Sequence, residues 1–413
     1  MGAFLVAFAA LSVVVIGFHV ALAAGLLANF RAEKRHAGAE DPRPGPAGAS
    51  AGAAPGAGGP PPAPLRPEVV VAVRNEERVL PRLLESLLAQ TRADCLFLFV
   101  DDRSTDATGR ILDEFCARAG GRARVIHNHV EPVSLTGKQA ALDLAFLQAR
   151  GDVLLFTDGD CLLPPTWAEE MLSHFQDERT GIVLGRIGLP EGRSFLGRFQ
   201  AFEQPLLNQY NFGSVGMGVP TGCFGNNMAV RAAAVRQVGG FRALGYSVTE
   251  DALLLDAVAR KGGWKVRACT SLRSTATTFP KDTWREFVSQ NTRWNAGGLF
   301  STDPITRGSY TLIVLIYLVG GILVSPLGFL DWRVPVLSLG PFACIALLAF
   351  VGGFSDGVRR GRYFLRLLPC VMFFGFFYSF VTIRAFIRRP FEWKGTVTPA
   401  RAGRPGALRN PPA

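Results

Sequence analysis

The sequence Val-Val-Val-Ala-Val at residues 69–73, followed by Arg-Asn-Glu-Glu at residues 74–77, decides the fold class. A short, uninterrupted apolar run of this kind is typical of a strand buried on both faces of a parallel sheet. Apolar residues then recur at helical spacing over residues 79–88, and residues 96–100 (Leu-Phe-Leu-Phe-Val) predict the next strand. The order is β-α-β, so we predict an α/β fold with a parallel sheet.

Polar loops follow both predicted strands. Residues 74–77 follow the first strand, and residues 101–106 (Asp-Asp-Arg-Ser-Thr-Asp) follow the second. Because ligands of such sheets bind beyond the carboxyl ends of the strands, we expect a binding site where these loops meet. Neither loop matches G-x-G-x-x-G or the P-loop pattern, so dinucleotide and P-loop sites are not favoured.

A third apolar run, Val-Leu-Leu-Phe at residues 153–156, ends in Thr-Asp-Gly-Asp. Asp158 and Asp160 lie two residues apart at a strand end and therefore point to one side. Such a carboxylate pair suits a hard divalent cation that also binds diphosphate oxygens. Chance alone supplies about one D-x-D in a chain of this length. Its position after a buried strand of the same unit is what makes it a candidate site.

Thr249-Glu250-Asp251 opens an apolar helical stretch. One interpretation is a helix N-cap threonine followed by acidic first-turn residues. The other is a catalytic carboxylate, which the D-x-D in the same domain favours. The two interpretations are compatible.

Gln290, Arg293 and Trp294 form a Q-x-x-R-W pattern ahead of the C-terminal apolar region. A guanidinium fork matches the oxygens of a diphosphate, and an indole offers a broad apolar plane to a sugar. The alternative is a belt of Trp and Arg at a lipid interface.

Composition indicates a membrane protein. The 413 residues are 48% hydrophobic, and 44 Lys and Arg against 33 Asp and Glu give a net charge of +11. Only 19% of the residues are charged, so the excess does not indicate nucleic acid, and we expect no nucleic-acid partner. The seven cysteines form no C-x-x-C pair, which predicts a reducing compartment and no structural zinc.

The N-terminal segment predicts a transmembrane anchor over residues 1–30. It exceeds the roughly 20 apolar residues that span a bilayer, and a cleaved signal peptide is disfavoured because the basic n-region is missing. Arg31, Lys34 and Arg35 follow at once, so the positive-inside rule places the rest of the chain in the cytosol. Residues 31–66, rich in Ala, Gly and Pro, predict a linker.

The region 308–387 contains three apolar stretches, which predict two to three C-terminal transmembrane helices. The basic tail at 388–413 belongs in the cytosol by the positive-inside rule, whereas three full crossings would place it outside. Both statements hold only if one stretch is re-entrant or interfacial. Pro326 and Pro335 leave two places open for such a segment.

Seven motifs, in order, resemble membrane-bound glycosyltransferases of family 2, including the cellulose-synthase-like, hyaluronan-synthase-like and lipid glycosyltransferase-like enzymes. The motifs are A-V-R-N-E-E (72–77), V-D-D-R-S-T-D-A-T (100–108), G-K-Q-A-A-L (137–142), D-G-D (158–160), G-N-N-M (225–228), T-E-D (249–251) and Q-x-x-R-W (290–294). The resemblance implies a GT-A fold, which we expect over residues 67–300. A terminal W-K-G-R of bacterial relatives is matched only as far as Gly395, because Thr396 replaces the arginine.

The resemblance also implies residue roles. The residues expected to bind the donor nucleotide sugar are Asn75, Glu77, Asp102, Lys138, Asp158, Gln290, Arg293 and Trp294. The first three would hold the uridine of a UDP-sugar, and the last three would close over the diphosphate and the acceptor. Asp160 would ligate Mg²⁺ or Mn²⁺, and Asp251 would be the general base that removes the acceptor hydroxyl proton.

We therefore predict an inverting, metal-dependent glycosyltransferase in a bacterial-type inner membrane, with several membrane passes and a cytosolic catalytic domain. It would transfer a sugar from a UDP-sugar to a lipid or polysaccharide. The narrow C-terminal membrane region favours a lipid-linked acceptor. A processive polysaccharide synthase would instead give a ladder of products. A sugar-phosphate nucleotidyltransferase would release pyrophosphate, and a catalytically silent scaffold would bind UDP without turnover.

Overall fold

The computed structural model describes residues 2–40, 64–130, 135, 137–301, 303–323, 331–357, 361–387, 391–393 and 396–398. The strands are β1 (Pro67–Val73), β2 (Leu96–Asp102), β3 (Ala123–Asn128), β4 (Val153–Phe156), β5 (Thr180–Leu184), β6 (Ile187–Gly188), β7 (Met228–Arg231), β8 (Lys265–Ala268), β9 (Ala276–Thr277), β10 (Phe391–Trp393) and β11 (Thr396–Thr398).

The helices of the same residues are α1 (Gly2–Glu40), α2 (Leu80–Leu88), α3 (Thr108–Arg118), α4 (Gly137–Gln148), α5 (Trp167–Ser173), α6 (Phe195–Gly216), α7 (Ala232–Gln237), α8 (Gly240–Leu244), α9 (Glu250–Asp256), α10 (Trp284–Leu299), α11 (Pro304–Leu323), α12 (Arg333–Ser355), α13 (Gly361–Leu365) and α14 (Leu367–Phe386). Short 3₁₀ turns occupy His174–Gln176 and Leu272–Ser274, and a π-helical turn, Ala257–Lys261, continues α9.

Seven of the described strands form one mixed sheet in the order β3-β2-β1-β4-β7-β5-β8. Strand β1 is central and runs parallel to β2 and β4, with Val69 opposite Phe97 on one side and Leu155 on the other. Strand β7 runs antiparallel to both β4 and β5. The α/β prediction and the parallel β-α-β unit are confirmed.

The side chains of β1 explain why its sequence is an uninterrupted apolar run. Successive residues of a strand point to opposite faces of the sheet. Val69, Val71 and Val73 therefore lie in a core beneath α2, α3 and α5, whereas Val70 and Ala72 lie in a second core with α4, α6 and α9. All seven residues of β1 are buried, because both faces of the sheet are covered.

Three described helices are long and apolar enough to cross a membrane: Gly2–Arg35, Arg333–Ser355 and Pro369–Phe386. One N-terminal and two C-terminal candidates agree with the prediction. Helix α12 remains continuous over 23 residues although Pro341 lies inside it. The other position left open for a re-entrant segment, at Pro326, lies outside the described residues.

The boundaries predicted at the two ends of the chain fall partly outside the described residues. Helix α1 continues to Glu40, ten residues past the predicted end of the anchor at residue 30. Residues 41–63 of the predicted linker are not among the described residues, nor are most of those in the tail at 388–413. Within that tail, β10 and β11 pair antiparallel, with Trp393 opposite Thr396.

Helix α1 packs along α6 through polar contacts as well as apolar ones. The ring of His19 hydrogen-bonds the Tyr210 hydroxyl at 2.9 Å, and the Asn29 amide donates to the carbonyl of Phe212. Further along, Glu33 lies 3.6 Å from the imidazole of His174. Burial lowers the pKa of His174, but contacts with Cys269 and Glu33 outweigh this and raise it to about 10. The C-terminal part of α1 is thus held against the α/β domain by an ion pair.

Candidate active site

A cavity of about 290 Å³ lies beyond the carboxyl end of β4. Seven of the predicted site residues line it: Lys138, Asp158, Asp160, Asp251, Gln290, Arg293 and Trp294. They come from four separate parts of the chain, so the fold brings together most of the candidate site. Its volume is at the lower end of the range for small-molecule sites.

The D-G-D segment follows β4 directly and places two carboxylates at the cavity. Asp158 forms an ion pair with the ammonium of Lys138, which starts α4, and Glu250 lies 3.8 Å from the same nitrogen. Burial alone would lower the pKa of Lys138, but the carboxylates of Asp158 and Glu250 raise it on balance. Lys138 therefore remains a cation, although it is buried.

Asp251 is held in the first turn of α9 by two backbone amides. Its Oδ2 accepts a hydrogen bond from the Gly225 N–H at 2.8 Å, and its Oδ1 accepts one from the Ala252 N–H at 2.9 Å. A Cβ atom at position 225 would lie 3.0 Å from the Asp251 carboxylate, so glycine is what permits this approach. Each carboxylate oxygen retains a lone pair for a substrate.

Gln290, Arg293 and Trp294 share one face of α10, because residues three and four apart are neighbours on a helix. The helix begins after Thr283, whose hydroxyl accepts from the Glu286 N–H. The guanidinium of Arg293 donates to the carbonyl of Val248 at 2.9 Å, one residue before the T-E-D segment. This bond fixes the segment that carries Asp251 relative to the Q-x-x-R-W helix.

Helix α10 packs closely against α9 on one side and α14 on the other. A Cβ at Gly297 would lie 2.3 Å from the hydroxyl oxygen of Thr249, so α10 lies against the start of α9 without a side chain between them. On its other side, Phe287 stacks on Phe377 of α14 with ring centroids 4.7 Å apart. Aromatic pairs at this separation stabilise packing beyond their buried area.

Three predicted donor residues lie outside the cavity wall, two in the loop after β1 and one at the end of β2. The Asn75 Oδ1 accepts from the Thr105 N–H at 2.8 Å, and the Glu77 Oε2 accepts from the Ala107 N–H at 3.0 Å. Asp102 is fully buried, paired with Arg103 at 2.9 Å. A uridine contact by Asp102 would require this ion pair to open, so its role in donor binding stays a prediction.

Two residues inside the motifs make contacts that the sequence did not indicate. Glu250 contributes a second carboxylate to Lys138, and burial raises its pKa, while Lys138 opposes this shift. Asn227 of the G-N-N-M motif is buried and binds the carbonyls of Arg186 and Ser274 at 2.6 and 2.9 Å. Asn227 therefore fixes the loop before β7 and does not face a ligand.

A further part of the wall comes from helices that carry no motif. Helix α6 contributes Gln200, Gln204 and Asn211, helix α1 contributes Phe18, and helix α14 contributes Tyr378. Sequence analysis missed these residues. The cavity therefore continues from the carboxylates of the α/β domain to two of the candidate membrane helices.

Comparison with known proteins assigns part of the chain to a family. The model of the family described as Glycosyl transferase family 2 matches residues 68–239. The chain contains a family 2 glycosyltransferase domain. The resemblance read from the seven motifs is thereby confirmed.

Individual relatives of the family 2 domain share short stretches with this chain. The glycosyltransferase GlyG of Streptococcus pneumoniae is 28% identical over 117 residues, which cover 28% of this chain and 37% of GlyG. The undecaprenyl-phosphate 4-deoxy-4-formamido-L-arabinose transferase of Pseudomonas fluorescens is 36% identical over 103 residues, which cover 24% of this chain and 28% of that protein. The stretch that matches the putative glycosyltransferase EpsE of Bacillus subtilis likewise covers only 60% of that protein's length.

A solved structure, the mannosyltransferase PcManGT from Pyrobaculum calidifontis with GDP-Man and Mn²⁺, aligns at 16% identity. The alignment covers 91% of this chain and 99% of that chain, with a TM-score of 0.49.

Proposed function

We propose that this protein is an inverting glycosyltransferase that transfers a sugar from a UDP-sugar to an acceptor lipid at the cytosolic face of a bacterial-type inner membrane. The supporting observation is the shared cavity. It contains the D-G-D carboxylates, Asp251 and the Arg293 face of α10, and it extends to helices that are long and apolar enough to span a membrane.

Asp251 is the proposed general base. Its two backbone hydrogen bonds orient the carboxylate without consuming all of its lone pairs. The acceptor hydroxyl oxygen attacks the anomeric carbon while its proton passes to Asp251. The bond between that carbon and the diphosphate breaks, and its electron pair stays on the diphosphate oxygen. A single displacement of this kind inverts the anomeric carbon and requires one base.

The charges around the donor fit a leaving diphosphate. Arg293 offers a guanidinium fork, and the ammonium of Lys138 lies beside Asp158. Asp158 and Asp160 supply the carboxylate oxygens that a hard divalent cation prefers, so the residues fit Mg²⁺ or Mn²⁺. When bound by Asp160, such an ion would supply positive charge for the leaving diphosphate.

A lipid acceptor is supported by where the cavity lies. Phe18 and Tyr378, which line it, belong to candidate membrane helices α1 and α14. The relative from Pseudomonas fluorescens is named for a lipid-linked substrate, undecaprenyl phosphate.

The test is UDP release by the detergent-purified full-length protein, measured over a panel of UDP-sugars with Mg²⁺ or Mn²⁺ and a bacterial lipid extract. The variant is Asp251→Asn, which keeps the size of the side chain but removes the base. Asp152→Asn is the matched control, because Asp152 lies on the surface in an ion pair with Arg66. UDP binding to each variant verifies that it is folded.

We expect UDP release that requires both metal and lipid, falls by roughly 10²–10⁴-fold in Asp251→Asn and is retained in Asp152→Asn. Equal release by wild type and Asp251→Asn would refute the base. UDP binding without turnover on any donor would support the silent scaffold instead, and release of pyrophosphate would identify a nucleotidyltransferase.

A further inference from the structure

A glutamate, a histidine and a cysteine come together where α1 meets the α/β domain. Glu33 lies on the C-terminal part of α1, His174 follows α5 directly, and Cys269 follows β8 directly. One ligand atom from each of the three lies within 4.8 Å of the other two. None of these residues lines the cavity, and none belongs to the seven motifs. The cluster is therefore separate from the candidate active site.

The three side chains are of the types that bind a borderline divalent ion such as Zn²⁺. Zinc lies about 2.3 Å from a thiolate sulfur, and about 2.0–2.2 Å from an imidazole nitrogen or a carboxylate oxygen. Tetrahedral placement at these bond lengths separates two ligand atoms by roughly 3.3–3.6 Å. The Nε2 atom of His174 and the Oε2 atom of Glu33 are 3.6 Å apart, which suits one ion between them.

Rigid elements hold two of the three groups. Cys269 is fully buried, and its N–H donates to the carbonyl of Leu184 at 2.8 Å, which extends the pairing of β8 with β5. Its thiol donates to the Ser274 hydroxyl at 3.2 Å. His174 is buried at the end of α5. The side chain of Glu33 is one-fifth exposed, so water reaches this side of the cluster and can supply a fourth ligand.

The charges around the cluster suit a divalent cation. A carboxylate and a thiolate together carry two negative charges, which balance those of the ion. The buried guanidinium of Arg186 lies within electrostatic reach of Glu33 and Cys269. Arg186 is itself ion-paired with Asp356, so its positive charge is balanced there. Buried charges of this kind are stable where they are paired or bind a metal.

We infer that Glu33, His174 and Cys269 form a binding site for a divalent transition-metal ion of the Zn²⁺ type, which fastens α1 to the α/β domain. Its ligands come from three distant segments, so the absence of a C-x-x-C pair does not argue against it. Binding releases the thiol proton to solvent, because the sulfur ligand must be a thiolate. The inference does not depend on the proposed function.

This ion differs in kind from the one expected at the D-G-D segment. Mg²⁺ and Mn²⁺ prefer oxygen ligands, whereas sulfur and imidazole nitrogen favour zinc and its neighbours in the transition series. The two sites can therefore be measured separately in one protein.

The test is the titration of the full-length protein with Co²⁺, whose thiolate complexes absorb in the near ultraviolet. The protein is purified in detergent without a polyhistidine tag and is first stripped with a chelator. We expect one Co²⁺ per chain with a thiolate-to-cobalt charge-transfer band. Zn²⁺ should abolish the band by displacing Co²⁺, whereas excess Mg²⁺ should leave it unchanged.

Variants assign the band to the cluster. Cys269→Ser should remove it, and His174→Gln and Glu33→Gln should each weaken Co²⁺ binding by at least about 10²-fold, because even outer-shell partners contribute about 10–100-fold. Cys95→Ser is the matched control, since Cys95 is also a fully buried free cysteine. Asp160→Asn should retain the band. A cooperative thermal unfolding transition verifies that each variant is folded.

Thermal stability gives a second readout. Zn²⁺ should raise the thermal midpoint of the wild type and of Cys95→Ser but not of the three ligand variants, because an ion that binds only the folded state stabilises it. Absence of the band in the wild type, or its retention in Cys269→Ser, would overturn the site and leave only the ion pair between His174 and Glu33. Loss of the band in Asp160→Asn would assign the ion to the D-G-D segment instead.

Discussion

The cavity has a donor side, formed by the α/β domain, and a membrane side, formed by α1, α6 and α14. The two sides differ in how the hydrogen bonds of their polar groups are satisfied. On the donor side, Lys138 is held between Asp158 and Glu250, and Asp251 is held by two backbone amides. On the membrane side, Gln204 keeps an unpaired donor among the described residues. The donor side is organised before any ligand binds, which is the arrangement that charge stabilisation in a transition state requires.

This difference predicts two kinds of defect. Substitutions on the donor side remove charges that act on the reacting atoms, so they lower the rate of transfer. Substitutions on the membrane side remove contacts to the acceptor, so they raise its KM. The predictions below test this division, beginning with the largest expected effect.

Asp160→Asn is expected to reduce UDP release by roughly 10²–10³-fold, because the amide retains the size of the carboxylate but not its charge for a cation. Metal dependence measured by titration with Mn²⁺ is the readout, with Asp152→Asn as the control. Full activity with an unchanged Mn²⁺ requirement would show that Asp160 is not a metal ligand.

Arg293→Lys is expected to lower kcat by about tenfold to a hundredfold, with the lipid KM nearly unchanged. Lysine retains the charge but loses the planar fork and the bond to the Val248 carbonyl. Arg285→Lys, an exposed position on the same helix, is the matched control. A change in lipid KM alone would assign Arg293 to the acceptor and contradict the division between the walls.

Gly297→Ala is expected to destabilise the protein by about 1–3 kcal/mol, because the added methyl group would overlap Thr249 and force α10 away from α9. The thermal midpoint of the purified protein and its kcat should fall together. Gly308→Ala in α11 meets no atom within 4 Å and should be neutral or slightly stabilising. Equal midpoints for the two variants would contradict the close contact.

Glu203→Gln is expected to change the pH dependence of stability. The pKa of Glu203 is about 8 in the folded protein, against a usual 4.5. At a pH between these two values, folding therefore takes up a proton. The stabilisation is fully present below about pH 4.5 and is lost as the pH rises through 8, by at most about 1.4 kcal/mol per pH unit. The midpoint of wild type should therefore fall more steeply with pH than that of Glu203→Gln, whereas parallel curves would contradict the raised pKa.

The strands and the positions of Asp158 and Asp160 were predictable from sequence, because each is a local pattern. The run at residues 69–73 is apolar at every position since β1 is covered on both faces, and Asp158 and Asp160 follow the end of β4 directly. Comparison with the family model supports the same domain. These features depend on neighbours in sequence or on the alternation of a strand.

The membrane-side wall was not predictable, because its residues come together only by tertiary packing. Helix α6 buries Glu203, Gln204, Asn208 and Gln209, so its sequence has no clear apolar face, and it contains Pro205. The burial of Asp102 likewise depends on Asn128, which the register of β2 against β3 places opposite it. Single-sequence patterns contain no information on such pairings.

The length of α1 has a consequence for how the protein can be handled. At 39 residues it extends about 58 Å, nearly twice the hydrocarbon thickness of a bilayer. One part of it places Phe18 in the cavity, and another reaches His174 of the α/β domain through Glu33. A fragment beginning at residue 67 would therefore lose Phe18 from the cavity together with the candidate membrane helix α1. We expect such a fragment to bind a nucleotide sugar but to fail in transfer to an acceptor, so truncation would not give a soluble form that recognises its acceptor.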